Sequence, residues 1–441
     1  MGGISVIRIS GEKAIQIAAS VFSTANGKDV EKMEGNTCAY GKIISDGVEI
    51  DDGIITVFRA PKSFTGEDVC EISCHGGIYV TKQVLRAIIK NGAVPAQAGE
   101  FTKRAFLNGK MSLTQAEAVM DVISAQGEQA LRAAVSSHEG ALYSRIRKIT
   151  DKLVSILGEL AAWVDYPEED LPDIEFNALQ ASLSECIAEL DKLLLSYDSG
   201  RILREGIDTA IVGKPNVGKS TLMNLLLGYE RSIVTDIEGT TRDIVEESAR
   251  IGEIVLRLSD TAGIHDTEDI IEGVGVNLAK KKISEADLII AVFDNSRKLT
   301  DEDFSVIESV KDKACIAVLN KTDLEPEVDI NVLKEYFNYV VEISAKNNKG
   351  IDELKSALEE IFRLNQFDAT SGIIANERQK QCVEEARKYL VSANDVLVMG
   401  ETYDAVTVLI DKAADDLLEL SGEKATEAVV NDVFSRFCVG K

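Results

Sequence analysis

No stretch of this 441-residue sequence approaches the unbroken apolar length that crosses a bilayer, so a membrane span is excluded. Basic residues are scarce beside acidic ones. With 48 Lys and Arg against 74 Asp and Glu, the formal charge is -26. That argues against a broad nucleic-acid groove, which needs clustered cations to neutralise phosphates, but leaves room for a local basic patch. Cysteines are few, odd in number and scattered: Cys38, Cys70, Cys74, Cys186, Cys315, Cys382 and Cys438. They fit reduced thiols rather than a disulfide framework. The opening "MGGISVIRIS" lacks a basic leader before an apolar stretch, and the hydroxyl residue of a myristoylation pattern falls one place early, at Ser5. The expectation is a cytoplasmic protein.

What the sequence does contain is globular: 45% hydrophobic and 28% charged residues, in a chain long enough for about three domains. From Ile4 to about Gly109 short β-like runs alternate with helical ones, which predicts a small α/β domain over 1–109. In its segment "DVCEISCH", Cys70, Cys74 and His75 admit a metal reading. The alternation Cys70, Ile72, Cys74 also describes the buried face of a strand, and no second ligand pair exists, so the strand reading is preferred. From Ser112 the period becomes helical through Leu131, Val135, Leu142, Ile146, Ile149, Leu153, Ile156 and Leu160. After the Pro167 and Pro172 stops it resumes through Leu179, Leu183, Ile187, Leu190 and Leu194, giving a helical region over 110–205. Between 206 and 364 the apolar runs "TAIVG", "IVLRLSD", "DLIIAVFD", "ACIAVLN" and "YVVEIS" are separated by helix-length segments, the pattern of buried parallel strands. Helical segments return over 365–441. The simplest architecture is multidomain, α/β plus all-α: a helical domain split in sequence by an inserted α/β module with a mostly parallel sheet.

The module carries chemistry. "GKPNVGKST" satisfies G-x-x-x-x-G-K-[ST] directly after a strand and before a helix. Gly213 and Gly218 let the backbone close around phosphates, with Asn216 and Val217 between them. Lys219 supplies charge, the Ser220 hydroxyl can ligate magnesium, and Thr221 continues the helix N-terminus. "NKTD" offers Asn320, Lys321 and Asp323 after another strand, and "SAK" offers Ser344, Ala345 and Lys346. A carboxylate such as Asp323 accepts both N–H groups on the guanine edge, which adenine cannot supply. "DTAG" places Asp260 near the magnesium shell, followed by Thr261, Ala262 and Gly263 near the γ-phosphate. Together these signals predict a Ras-like P-loop GTPase domain binding GTP and Mg2+. One residue is missing from that pattern: the glutamine that orients water in Ras-like enzymes is replaced by Ile264. The loop "TDIEGTTRD" spans Thr235, Asp236, Ile237, Glu238, Gly239, Thr240 and Thr241. It offers Thr241 to magnesium and, with Asn216, carbonyls for a monovalent cation that could take the charge role of an arginine finger; Arg242 is the alternative finger.

The segments "SFTGEDVCEISCHGG", "GEFTKRAFLNGKMSLTQAEA", "LREG", "TDIEGTTRD" and the terminal "FCVGK" make the whole chain resemble the tRNA-modification GTPase family called MnmE or TrmE. The resemblance implies an N-terminal α/β domain that forms a homodimer and binds a tetrahydrofolate one-carbon donor (the 5,10-methylene form or a 5-formyl analogue), a discontinuous helical domain, and an inserted G domain. It implies tRNA as substrate and a flavin-dependent partner, MnmG or GidA. With that partner an aminomethyl or carboxymethylaminomethyl group is installed on carbon 5 of the wobble uridine. Carried across, folate contacts fall on Arg8, Glu71, Lys110 and Lys441. Magnesium falls on Ser220 and Thr241, and K+ on Asn216, Thr235, Ile237 and Thr240. The water-positioning glutamate falls on Glu272.

The tail "SRFCVGK" then gains a reading. Val430, Val433 and Phe437 at helical spacing dock the last helix so that "CVGK" enters the folate site, with Cys438 where one-carbon chemistry happens. The chain departs from the family at two places: it starts within the first glycine-rich turn, so that either the start is truncated or a strand is missing, which bears on the edge of the N-terminal sheet, and Ala98 stands where a proline is usual. Two other classes compete. A ribosome-assembly GTPase would carry a G-x-x-G clamp in a basic setting after the G domain, which is missing here. A self-assembling structural GTPase leaves the α/β domain and the terminal motif without purpose.

Overall fold

A computed structural model of the chain describes residues 2–165, 176–229, 247–252, 254–259, 283–362, 368, 370–437 and 440. The chain divides into two compact units, Met1–Met120 with Leu417–Lys441, and Asp121–Asp416.

The first unit holds a five-stranded sheet of β1 (Ile4–Ser10), β2 (Phe22–Thr24), β3 (Thr37–Ser45), β4 (Val48–Phe58) and β5 (Val69–His75). Its order is β1-β5-β4-β3-β2, antiparallel throughout. Strand alternation sends Ile7, Ile9, Ile55, Cys70, Ile72 and Cys74 to one face, where helices Ala14–Val21 and Ile78–Lys90 cover them with Ala18, Val21, Val84 and Ile88. The strand reading of "DVCEISCH" therefore holds. Cys70 and Cys74 are core residues, burial pushes the Cys70 thiol up to about 12, and exposed His75 takes the other side. On that opposite face Val6, Ile54 and Tyr40 fall in one cross-strand row through Ser73, all exposed. Helices Glu100–Leu107 and Glu427–Ser435 and the start of Leu113–Ser124 complete the unit. Val430, Val433, Phe434 and Phe437 are buried against Leu113 and Ala116, each worth roughly 2 kcal/mol as a buried apolar side chain.

In the second unit, helices Glu128–His138, Ala141–Asp165, Phe176–Leu195, Tyr197–Glu205 and Glu377–Val398 pack through apolar stripes. Leu142, Ile146, Leu153 and Leu160 are fully buried, as are Leu183 and Leu190. Leu131 and Val135, expected on the same stripe, are 44% and 38% exposed. Gly140, at φ 94°, ends one helix and starts another, so the helical phase resets and the upstream residues leave the stripe.

The same unit holds a six-stranded sheet of β6 (Ile207–Val212), β7 (Glu247–Ile251), β8 (Ile254–Ser259), β9 (Leu288–Asp294), β10 (Cys315–Asn320) and β11 (Tyr339–Ile343). The order is β11-β10-β9-β6-β8-β7, parallel except for the β7/β8 hairpin. All seven residues of β9 are buried, as a strand covered on both faces requires. Helix Tyr197–Glu205 feeds β6 through Gly206. Its Arg201 grips Asp287 at 2.9 and 3.2 Å, and beside it Arg257 grips Asp208 at 2.7 and 2.8 Å. Among the described residues no helix is long and apolar enough to cross a membrane.

Candidate functional site

In an open parallel sheet, ligands bind beyond the carboxyl ends of the strands. Three signals converge there. The loop 213–218 leaves β6 and turns into helix Lys219–Tyr229, putting the backbone amides of a helix N-terminus at its rim. Gly213 and Gly218 are required: their φ values are 151° and 99°, and added Cβ atoms would lie 2.5 Å from Val292 O and 2.3 Å from Asn320 Nδ2. Lys219 Nζ folds over the loop and donates to the Gly213 and Lys214 carbonyls at 2.8 and 2.9 Å. Ser220 and Thr221 are exposed on the first helical turn, which suits a hydroxyl ligand to a cation beside bound phosphates.

The loops after β10 and β11 are wired to this one. Asn320 is buried; its amide donates to Val217 O at 3.0 Å and accepts from Ala345 N at 3.1 Å, so one side chain joins all three loops. Lys321 Nζ donates to Asn216 O at 2.8 Å. Ser344 Oγ donates to Asp323 Oδ1 at 2.7 Å. That bond, with Lys346 and Lys321 nearby, holds the exposed Asp323 carboxyl below its ordinary range and keeps it an acceptor. Gly213, Asn216, Val217, Gly218, Lys219, Asn320, Lys321, Asp323, Ser344, Ala345 and Lys346 thus belong to one constellation.

Two residues were not legible as part of it. Asp294, at the end of β9, accepts from Lys321 Nζ at 2.7 Å. Asp303, 2% exposed, pairs with Lys214 of the phosphate loop. A usable signal existed for the first: an Asp closing an apolar strand, as Asp260 does in "DTAG". Thr235, Asp236, Ile237, Glu238, Gly239, Thr240, Thr241, Asp260, Thr261, Ala262, Gly263, Glu272, Cys438 and Lys441 lie outside the described residues.

A second cluster sits in the first unit. Arg8 and Glu71 are direct partners in the β1–β5 register, and Arg8 Nε donates to Glu71 Oε1 at 2.7 Å. The guanidinium also lies 5.4 Å from the Phe64 ring and 5.6 Å from the Phe101 ring. Lys110 Nζ donates to Pro61 O at 2.9 Å, so Arg8 and Lys110 both reach the segment 61–66. This segment is knitted to helix Glu100–Leu107: Asn108 donates to Thr65 O at 2.7 Å, and Arg104 bridges Glu67 and Glu100. The motifs "SFTGED" and "GEFTKRAFLNGK" are therefore neighbours in space. Phe437 packs on Gly99 at the start of the same helix.

Two family models match the chain: the GTP-binding protein TrmE N-terminus over residues 1–110 and the MnmE helical domain over residues 113–438. The tRNA modification GTPase MnmE of Clostridioides difficile is 42% identical over 443 residues, covering 100% of this chain and 96% of the relative. The protein of the same description from Thermoanaerobacter pseudethanolicus is 41% identical over 444 residues with the same coverage. Among solved structures, Aquifex aeolicus Era bound to GDP and aluminium fluoride is 31% identical over 42% of this chain and 66% of its own, with a TM-score of 0.27. The G domain of the T. maritima FeoB iron transporter is 20% identical over 35% of this chain and 98% of its own, with a TM-score of 0.28.

Proposed function

The chain belongs to the MnmE (TrmE) family of tRNA modification GTPases and is a GTP hydrolase acting in tRNA modification; from that premise we propose that it works with a flavin-dependent MnmG partner on the wobble uridine. The pair adds a carboxymethylaminomethyl or aminomethyl group to carbon 5, in the cytoplasm. The observation that carries the GTP half is the Asn320 amide, which ties the guanine-reading loops to the phosphate loop.

Ser220, with Thr241, would hold magnesium. Asn216, Thr235, Ile237 and Thr240 would hold potassium, which would supply the charge of an arginine finger, and Glu272 would take the water-orienting role that Ile264 cannot fill. Tetrahydrofolate would supply the one-carbon unit. The first unit fits it: the Arg8 guanidinium and the Lys110 ammonium suit the carboxylates of a folate tail, Glu71 suits the donors on a pterin edge, and the rings of Phe64 and Phe101 beside Arg8 offer apolar surface to a conjugated ligand. Lys441 and Cys438, in the tail that follows Phe437, would complete that site. A homodimer is supported by the exposed apolar row Val6, Ile54 and Tyr40 on the face of the N-terminal sheet opposite its core helices.

The test is nucleoside mass spectrometry of tRNA from a strain lacking this protein, complemented with wild type, with Cys438→Ser, or without the last four residues. Restoration by wild type alone, with GTP hydrolysis intact in both variants, supports the reading. Unaltered wobble uridine in the deletion strain refutes it.

A further inference from the structure

Asp294 closes β9 with a side chain only 2% exposed. One oxygen, Oδ1, accepts from Ser296 Oγ at 2.7 Å and Ser296 N at 3.0 Å. The other, Oδ2, accepts from Lys321 Nζ at 2.7 Å, and that same ammonium donates to Asn216 O at 2.8 Å. A single lysine therefore spans from the floor of the sheet to the middle of the phosphate loop.

The lysine and the loop residue it reaches both have left-handed backbones. Lys321 has φ 66° and Asn216 φ 64°; asparagine adopts such values fairly readily, whereas a lysine does so only where its surroundings hold it there. A charge-assisted bond to a buried carboxylate is the strongest such hold available, and it is directional. Burial alone would raise the Asp294 carboxyl; Lys321 and the two Ser296 donors outweigh it, and the group lies below the ordinary range, ionised at neutral pH. The exposed Arg297, 3.7 Å away, adds little beside Lys321.

We propose that Asp294 is a positioning residue for guanine-nucleotide binding: its buried carboxylate, acting through Lys321, sets the guanine-reading loop and the Asn216 segment of the phosphate loop in one arrangement before nucleotide arrives. The proposal rests on the GTP-binding reading of the site. Asp294 makes its link to that site through Lys321, so its contribution vanishes once the lysine is gone. It organises binding common to ground and transition states, so affinity falls without the saturated rate.

The experiment measures binding of a fluorescent GDP and steady-state GTP hydrolysis for wild type, Asp294→Asn, Lys321→Ala and the double variant. Asp294→Asn is expected to weaken GDP binding and raise KM roughly tenfold, the loss of one hydrogen bond to a charged group, with kcat within about twofold. The double variant should bind no more weakly than Lys321→Ala, and Asp294→Glu should recover part of the loss. Unchanged affinity in Asp294→Asn, or effects that add in full, overturns the proposal; a lowered melting temperature with unchanged KM marks a purely structural aspartate. If Asp294→Asn does not fold, Asp294→Glu decides: KM raised with kcat kept supports the proposal, and KM unchanged refutes it. Failure of the wild type to bind GDP would instead refute the GTP reading.

Discussion

A Cβ on Gly218 would stand 2.3 Å from Nδ2 of Asn320, the atom that holds Val217 O. The glycine and the amide therefore occupy one another's only free space. Gly218→Ala must displace Asn320 and also strain a backbone at φ 99°, at a cost of about 1–3 kcal/mol. Because Asn320 joins three loops, the expected outcome in a GDP titration is a loss of affinity of at least tenfold, accompanied by only a modest fall in melting temperature. Asn320→Ala should reproduce the affinity loss and destabilise the G domain by about 1–3 kcal/mol, since it deprives a buried carbonyl and a buried amide of their partner.

Asn216 sits at the exposed apex of the same loop, with its carbonyl taken by Lys321. That leaves its side-chain oxygen as the atom it can offer to potassium. GTP hydrolysis should run faster in potassium than in sodium at equal ionic strength, and Asn216→Ala should reduce that ratio toward one. Equal wild-type rates in the two salts would remove the cation role.

The strands of the G domain were legible because a sheet covered on both faces writes long apolar runs; β6, β8, β9, β10 and β11 all fall on runs read from the sequence. Strands β2, β3 and β7 were not read; β2 has only three residues. β3 exposes alternate residues such as Cys38 and Tyr40, and β7, "ESARI", is short and charged, so neither carries an apolar run. Leu131 and Val135 misled because periodicity does not reveal where Gly140 resets the phase. Site residues with a motif were legible; Asp303 was not, because Lys214 lies 89 positions away and nothing local marks the pairing, while Asp294 carried a local sign in closing an apolar strand but none that points to Lys321, 27 positions on.

His75 Nδ1 meets Asp51 Oδ1 at 2.8 Å, and His75 N donates to Asp51 Oδ2 at the same distance. The hydrogen bond first, and the charge of Asp51 second, raise the imidazole above its ordinary 6.5. For a group raised in the folded state, the stabilisation is complete below the unfolded value and disappears as pH climbs through the folded one. Stability should therefore ease downward on the alkaline side of 6.5 as His75 deprotonates. An NMR titration of the His75 ring should give a midpoint above the ordinary value, and Asp51→Asn should return it. A His75 midpoint unchanged by Asp51→Asn would show the pairing to be inert.

Arg8 brings a charge and a flat surface to the rings of both Phe64 and Phe101, and only arginine supplies both. Arg8→Lys keeps the charge and loses the stacking. Calorimetry with 5-formyltetrahydrofolate should show binding weakened by roughly tenfold, the scale of a desolvated cation–π contact, with GTP hydrolysis within twofold of wild type. Equal folate affinity in the two proteins would move the ligand away from Arg8.

Gly99 lies at φ 68°, and a Cβ there would meet Phe434 O at 2.7 Å and Phe437 Cβ at 2.9 Å. The last helix and the helix bearing Phe101 approach this closely only because position 99 has no side chain. Gly99→Ala should push Phe437 outward and redirect the residues that follow it, while the G domain, in the other unit, is untouched. Phe437→Ala acts on the same contact from the other side, removing a side chain that is 7% exposed at a cost of about 3 kcal/mol. Both variants are expected to lose folate binding and wobble-uridine modification in complemented cells and to keep GTP hydrolysis. If either keeps full modification with its tail contact broken, the terminal residues take no part in the one-carbon chemistry. Loss of GTP hydrolysis together with modification would instead mean that the tail governs the nucleotide cycle.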